Sequence, residues 1–499
     1  MRRPIAIGVD VGTSSVKALA LATDGALVAS ASREISFDTP HPGWAETDPR
    51  VWWRATCETI RELRQHPLVA DAPIEAVGLT GQMHGLVLVD REAEPVRPAI
   101  MWNDQRTSDE VAALERELTP QAILAMTGNR MLAGFTAPKW RWLLRHEPDA
   151  TRRAHRILLP KDFVRLKLTG SAHSDVSDAS GTLFFDCSRR GWSAPMCRAI
   201  GLDESLLPEV FESAQTTSRV SAAGALATLL PEGTPVVAGA GDQAAQAIGT
   251  GVVAEGLLSC TIGTSGVVFA ATSVWRPSHD GSLHAFCHAV TRRWHLMGVT
   301  LSAGGSLRWM RDTLCGDLVA RAHERGVDPY ELMIAEAMAA PPGSDGVSFI
   351  PYLSGERTPR VVDHAAGAFT GLSTSTTRAH LIRAVLEGVA CSLAETVAAV
   401  RACGVTAESI RLSGGGARSA NWRQMLTDAM SCPTQTVEAH EGAAHGAALL
   451  ALVGAGRFPT VDAAAATLRG GPITQPSVSA QQWIAIADRY ARAADAIAT

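Results

Sequence analysis

The chain has 499 residues, 46% of them apolar and 19% charged, with a net charge of −5. That composition excludes a disordered chain, and the acidic balance argues against a broad nucleic-acid-binding surface. The length exceeds what one hydrophobic core supports, so two large domains are expected.

Met1-Arg2-Arg3-Pro4 leads straight into an apolar strand, without a signal-peptide core. No window of about 18 uncharged apolar residues occurs, so no membrane span is expected. The nine cysteines include no C-x-x-C pair, which predicts reduced thiols in a cytoplasmic protein.

Residues 5–11, with two isoleucines and two valines, read as a buried strand. Asp10 sits inside it, and a buried carboxylate is expensive unless it is paired or faces a cation. Gly12-Thr13-Ser14-Ser15 form a tight turn and residues 16–22 are apolar again, which predicts a hairpin. Such a turn suits a metal–phosphate complex. Its amides cradle phosphate oxygens, and Asp10 holds Mg²⁺ directly or through water. An ordinary hairpin with a solvated Asp at its tip fits this stretch equally well.

Asp24-Gly25 turns the chain into a third strand over 26–37. A helix starts at Thr47 or Asp48 before Pro49 and keeps helical apolar spacing over 51–64. Strand 74–79 runs into Thr80-Gly81-Gln82-Met83-His84-Gly85, followed by strand 86–90. Ile100-Met101-Trp102-Asn103-Asp104 comes next, with Thr107 or Ser108 capping a helix. Polar side chains just past strand ends are where α/β sheets expose ligand sites. His84, in a loop between Gly81 and Gly85, reads as a ligand contact more readily than as packing, whereas Met83 also fits a core position.

Residues 119–230 are mixed and mostly helical, with a tryptophan-rich helix over 138–146 and another over 162–168. Strand 236–239 ends in Ala240-Gly241-Asp242-Gln243, before a helix over 244–248. Asp242 is either the helix N-cap or a carboxylate free to accept a proton from a substrate hydroxyl, and both roles are compatible. Residues 239–244 also match the dinucleotide pattern G-x-G-x-x-A, which makes an NAD-dependent oxidoreductase a rival. Against it, Asp242 would set an anion beside a pyrophosphate.

The opening pattern returns at 257–269, where Gly263-Thr264-Ser265 separates two apolar runs. Two such hairpins half a chain apart predict an internal duplication, with domains 1–250 and 251–499. Strands over 283–290 and 294–298 follow, then Gly304-Gly305 and a helix over 306–314. His284 and His288 would lie about 13 Å apart along a strand, too far for one ion, so both read as structural. Strand 410–412 leads into Ser413-Gly414-Gly415-Gly416-Ala417-Arg418 and a helix over 421–430. The glycines allow close approach of a planar or phosphorylated ligand. His440 and His445, near a helix over 441–453, receive no role, and residues 483–498 read as a terminal helix. There is no G-x-x-x-x-G-K-[ST] motif, which excludes a P-loop kinase.

Together these residues resemble the FGGY family of carbohydrate kinases over nearly the whole chain. Gly134-Phe135-Thr136-Ala137-Pro138-Lys139-Trp140-Arg141-Trp142-Leu143 fits the family's N-terminal signature around its lysine. Gly367-Ala368-Phe369-Thr370-Gly371-Leu372, followed by His380-Leu381-Ile382-Arg383-Ala384-Val385-Leu386-Glu387, fits its C-terminal signature. The resemblance implies the α/β class, with two actin-like (ribonuclease H-like) domains and an interdomain active-site cleft holding ATP and a sugar. It implies Asp10 for Mg-ATP, Thr13 and Ser14 for phosphates, and Gly263 and Thr264 for a second phosphate hairpin. Gly304, Gly415, Gly416 and Asn421 fall on the adenosine side, and Asp242 at the catalytic base. Gln82, Met83 and His84 form the sugar loop, with Trp102 and Gln243 as further sugar contacts. Gln243 stands where asparagine is common, keeping the amide and lengthening its reach. The implied activity is phosphorylation of D-xylulose to its 5-phosphate. Alternatives are a kinase for another ketose or polyol and a non-catalytic actin-like ATP-binding protein. The expected partners are the sugar and ATP, with neither nucleic acid nor membrane and with a homodimer left open.

Overall fold

The computed structural model describes residues 3–362, 364–437, 442–477 and 480–498. Its frame is two seven-stranded sheets. The first runs Thr216–Arg219, Pro235–Val237, Ile74–Gly81, Ile5–Val11, Ser15–Ala22, Leu27–Glu34, with Ala240–Gly241 also pairing to Ile74–Gly81. The second runs His284–Cys287, Trp294–Thr300, Gly266–Thr272, Leu257–Ile262, Ser409–Ser413, Thr434–Val437, Gly470–Thr474. In each sheet the hairpin's first strand is antiparallel to its second and parallel to a strand much later in the chain. The repeated Gly-Thr-Ser hairpins are therefore the same topological piece used twice.

Strand alternation explains how the first sheet is covered. Ile5, Ile7, Val9 and Val11 face one core together with Trp52 and Ile60. The opposite face is small, with Ala6, Gly8, Ala76 and Gly78. The helix Gly442–Gly454 lies directly on it. A Cβ at Gly8 would stand 2.0 Å from the Ala444 carbonyl oxygen, and one at Gly78 2.0 Å from that of Ala447. The same helix meets Asp242–Gly249, where a Cβ at Gly446 would fall 1.8 Å from the Ala245 carbonyl oxygen. A segment from late in the chain thus packs on the first sheet and on the helix that begins with Asp242.

Three local expectations are corrected. The strand predicted over 236–239 stops at Val237, because Gly239 turns left-handed (φ 79°) and its Cα faces the Leu79 carbonyl. A Cβ there would lie 2.0 Å from that oxygen, so the G-x-G spacing serves strand packing. Asp242 is the first helical residue and Gly241 is the N-cap, with no side-chain capping bond. Thr107 precedes the helix Ser108–Leu118, but its hydroxyl donates to the Ala133 carbonyl at 2.9 Å instead of capping. His440 and Glu441 lie outside the described residues. No described helix is long and apolar enough to cross a membrane.

Candidate active site

Two adjacent cavities share one wall. The larger, about 670 Å³, is lined by all six residues expected on the adenosine side and at the second hairpin: Gly263, Thr264, Gly304, Gly415, Gly416 and Asn421. Close backbone contacts explain two glycines here, Gly304 and Gly414. The start of helix Gly304–Leu314 is knitted to the turn, with the Gly304 N–H donating to the Gly263 carbonyl at 2.8 Å and the Gly305 N–H to that of Thr264 at 3.0 Å. A Cβ at Gly304 would lie 2.5 Å from the Gly263 oxygen. Gly414 is left-handed (φ 84°), and a Cβ there would lie 2.4 Å from the Ile262 oxygen. Arg308 also lines this cavity and donates to the Thr264 hydroxyl at 3.3 Å. No sequence motif marked Arg308, which lies one helical turn beyond Gly304.

The smaller cavity, about 240 Å³, brings together Gln82, Met83, His84, Trp102, Asp242 and Gln243. Ser265 also lines it, so the Gly263-Thr264-Ser265 turn stands between the two cavities. His84 is held in a left-handed conformation (φ 67°) that costs energy for a non-glycine residue. Its carbonyl accepts from the Lys139 ammonium at 2.8 Å and the Thr136 hydroxyl at 3.1 Å. Its Nδ1 lies 2.6 Å from the Gly181 carbonyl, which can only accept, so Nδ1 carries the hydrogen. Burial lowers the pKa of this imidazole to about 3, which leaves Nε2 as a bare acceptor. Lys139 is buried, and its ammonium donates also to the Gly134 carbonyl at 2.8 Å. The lysine of the N-terminal signature therefore fixes the loop that carries Met83 and His84.

The first turn is braced from the smaller cavity. Trp102 Nε1 donates to the Thr13 hydroxyl at 2.9 Å, which donates to Gln82 Oε1 at 3.3 Å. Gln82 Nε2 in turn donates to the Gly12 carbonyl at 3.0 Å. Both ends of the Gln82 amide are engaged by the turn, so this side chain couples the cavity wall to the first hairpin. Ser14 is exposed at the tip and lines neither cavity.

Asp10 and Asp242 arrive from two neighbours of the strand Ile74–Gly81. Asp10 pairs in register with Thr80, and Gly241, just before Asp242, with Gly81. Burial and, second to it, the Asp10 charge together raise the Asp242 pKa to about 7, against the Gln243 N–H that favours the anion. Beneath it lies a network the sequence reading missed. The Gly241 N–H donates to the Ser177 hydroxyl at 3.1 Å, and that hydroxyl donates to Asp175. The Lys161 ammonium contacts Asp162, Asp175 and Asp178 at 2.6, 2.9 and 3.1 Å, all fully buried. A buried cation shared by three carboxylates is costly to disturb and holds the approach to Asp242 rigidly.

His284, read from sequence as structural, lines the smaller cavity, stacked on Phe286 with ring centroids 5.7 Å apart. His288 is structural: its Nε2 lies 2.9 Å from the Val252 carbonyl, and its Nδ1 accepts from the Val290 N–H at 3.1 Å. Arg357 is a second cavity residue that no spacing argument located. Among the described residues no group of three or more His, Cys, Asp or Glu side chains is arranged to hold a metal ion. A divalent ion here would depend on Asp10 together with oxygens of a bound ligand, the usual manner for Mg²⁺.

Residues 5–249 match the N-terminal domain of the FGGY family of carbohydrate kinases, and residues 258–455 match its C-terminal domain. A xylulose kinase from Escherichia coli (strain K12) is 42% identical over 426 residues, covering 85% of this chain and 84% of that protein. One from Staphylococcus xylosus is 35% identical over 456 residues, covering 91% and 92%. The crystal structure of xylulose kinase from Rhodospirillum rubrum superposes with a TM-score of 0.92 at 30% identity, covering 99% of this chain and 98% of that one.

Proposed function

The chain belongs to the FGGY family of carbohydrate kinases, and from that premise we propose how its paired cavities carry out ATP-dependent phosphorylation of xylulose. The observation that carries the reading is the single carboxylate, Asp242, lining the smaller cavity beside a turn that also lines the larger one. The larger volume lies in the range of sites that take a ligand of nucleotide size. The smaller one suits a short polar chain.

ATP lies in the larger cavity with its phosphates toward the Gly12–Ser15 and Gly263–Ser265 turns. D-xylulose lies in the smaller one with its terminal hydroxyl at Asp242. The hydroxyl proton passes to Asp242, the oxygen bonds to the γ-phosphorus, and the bond to the β-phosphate oxygen breaks to release ADP. Phosphoryl transfer needs positioning and charge neutralisation more than covalent help. A carboxylate with a pKa near 7 is a base matched to neutral pH, a role worth roughly 10²–10⁴-fold. His84 Nε2 accepts from a sugar hydroxyl, Met83 lines the carbon chain, and Gln243 reaches a further hydroxyl. Asp10 would hold Mg²⁺ with the phosphates, and the ion would neutralise the charge that otherwise opposes ionisation of Asp242. A cytoplasmic setting suits the cysteines, all nine of which are unpaired. A non-catalytic ATP clamp would require neither Asp242 nor the second cavity.

The test is a coupled ADP-release assay with Mg-ATP over D-xylulose, L-xylulose, D-ribulose, L-ribulose and glycerol. D-xylulose gives the highest kcat/KM. A higher value for another acceptor overturns the substrate and leaves the kinase chemistry in place.

A further inference from the structure

We infer that Arg357 receives the oxygen-bearing end of the acceptor that does not react, so that the smaller cavity binds open-chain acids of sugar length as well as the ketose. The inference rests on the kinase reading above. Among the residues lining this cavity, Asp242 is the sole carboxylate and Arg357 the sole lysine or arginine. The two do not pair, and no described carboxylate lies within ion-pair distance of the guanidinium. The adjacent carboxylate, Glu356, is turned inward and buried. Its Oε1 accepts the Leu301 N–H at 3.0 Å and the Arg357 N–H at 2.8 Å. Its segment is pinned by a mutual backbone pair between Glu356 and Val362, at 2.9 Å in both directions. The loop is therefore fixed to the strand that supplies Met297 and Val299 to the cavity wall, while five N–H donors of a planar cation are left for a ligand.

The surroundings of Arg357 favour the same ligand chemistry. His84 and His284 flank Phe135, with ring centroids 4.5 and 5.6 Å away, and burial keeps both imidazoles neutral. Neither adds a competing charge. With the reacting hydroxyl at Asp242, the opposite end of the acceptor meets this corner. In an open-chain ketopentose that end offers a carbonyl oxygen. In a pentonic acid it offers a carboxylate, which a guanidinium holds through two parallel hydrogen bonds.

The probe is D-xylonate, with wild type, Arg357→Met and Arg357→Lys compared by calorimetry and by initial rates on D-xylulose. Wild type binds D-xylonate, which competes with D-xylulose. Arg357→Met weakens D-xylonate binding by about tenfold or more and raises the KM for D-xylulose by about tenfold. The KM for ATP stays within about twofold. Arg357→Lys, which keeps the charge and loses the fork, falls between. If wild type fails to bind D-xylonate, or either variant matches wild type in D-xylonate affinity and sugar KM, the inference is overturned. Calorimetry needs no turnover, so the two readings separate. Arginine-dependent D-xylonate binding in a protein inactive on D-xylulose sinks the substrate assignment alone. Normal turnover with an indifferent Arg357 sinks this inference alone.

Discussion

Gly181 offers a probe of the sugar loop from outside the cavity. A methyl group there would stand 2.7 Å from both Nδ1 and Cε1 of His84 and 2.9 Å from the Met83 terminal carbon. The His84 backbone cannot retreat, because Lys139 and Thr136 hold its carbonyl. The ring must therefore swing by about 1 Å to recover an ordinary contact of about 3.5–4.0 Å. A misplacement of that size costs on the order of 10²-fold in rate. The bond to the Gly181 carbonyl, worth about 0.5–1.5 kcal/mol, is also disturbed. Overpacking should remove about 1–3 kcal/mol of stability, which is tolerable in a folded protein. Gly181→Ala should thus lower kcat/KM for D-xylulose by roughly 10- to 100-fold and leave the KM for ATP within about twofold. Steady-state rates at varied sugar and varied Mg-ATP, with a thermal melt as the folding control, measure this. A folded variant with wild-type kcat/KM for the sugar would refute the idea that His84 geometry governs acceptor binding.

Other perturbations report on other parts of the molecule. Asp242 must be ionised to act as a base, so kcat/KM for D-xylulose should fall as pH drops below about 7, at a lower pH the more the Mg²⁺ charge offsets that of Asp10; a profile flat from pH 8 down to 5 contradicts the assignment. Because burial lifts this pKa above that of the unfolded chain, the folded state holds the proton more tightly, and Asp242's contribution to stability declines between about pH 4 and 7, opposite to activity. A bulky replacement such as leucine at Thr13 or at Thr264 should weaken Mg-ATP binding in both cases, and calorimetry showing an effect at only one turn would end the idea of a shared nucleotide. Gly8→Ala drives a methyl into the Ala444 carbonyl and should cost about 1–3 kcal/mol or more in a denaturant melt; an unchanged midpoint would contradict the close packing of helix Gly442–Gly454 on the first sheet.

What was legible in the sequence was local. The two hairpins announce themselves through β-branched runs broken by Gly-Thr-Ser turns, and the segments around Gln82 and Asp242 through polar residues just past strand ends. Those residues do converge on one cavity. What was hidden depends on contacts between distant segments. Gly8 and Gly78 give no sign that a helix from beyond residue 440 lies on them. Arg308 and His284 carry no motif, and only the fold turns them and Arg357 toward a cavity. Lys139 was visible in its signature, but its task of holding the His84 carbonyl was not. The N-cap reading of Asp242 failed because a glycine with extended backbone can end the preceding turn unaided, which moves the helix start one residue on.

The central claim is that Asp242 removes the acceptor's proton while the nucleotide is held elsewhere. Asp242→Asn tests it most directly, since the amide keeps the shape and loses the base. The measurement is kcat on D-xylulose at saturating Mg-ATP, beside the calorimetric affinity for Mg-ATP. We predict that kcat falls by about 10²-fold or more while nucleotide affinity stays within a few-fold of wild type. A variant that binds Mg-ATP and turns over D-xylulose at close to the wild-type rate would contradict the account.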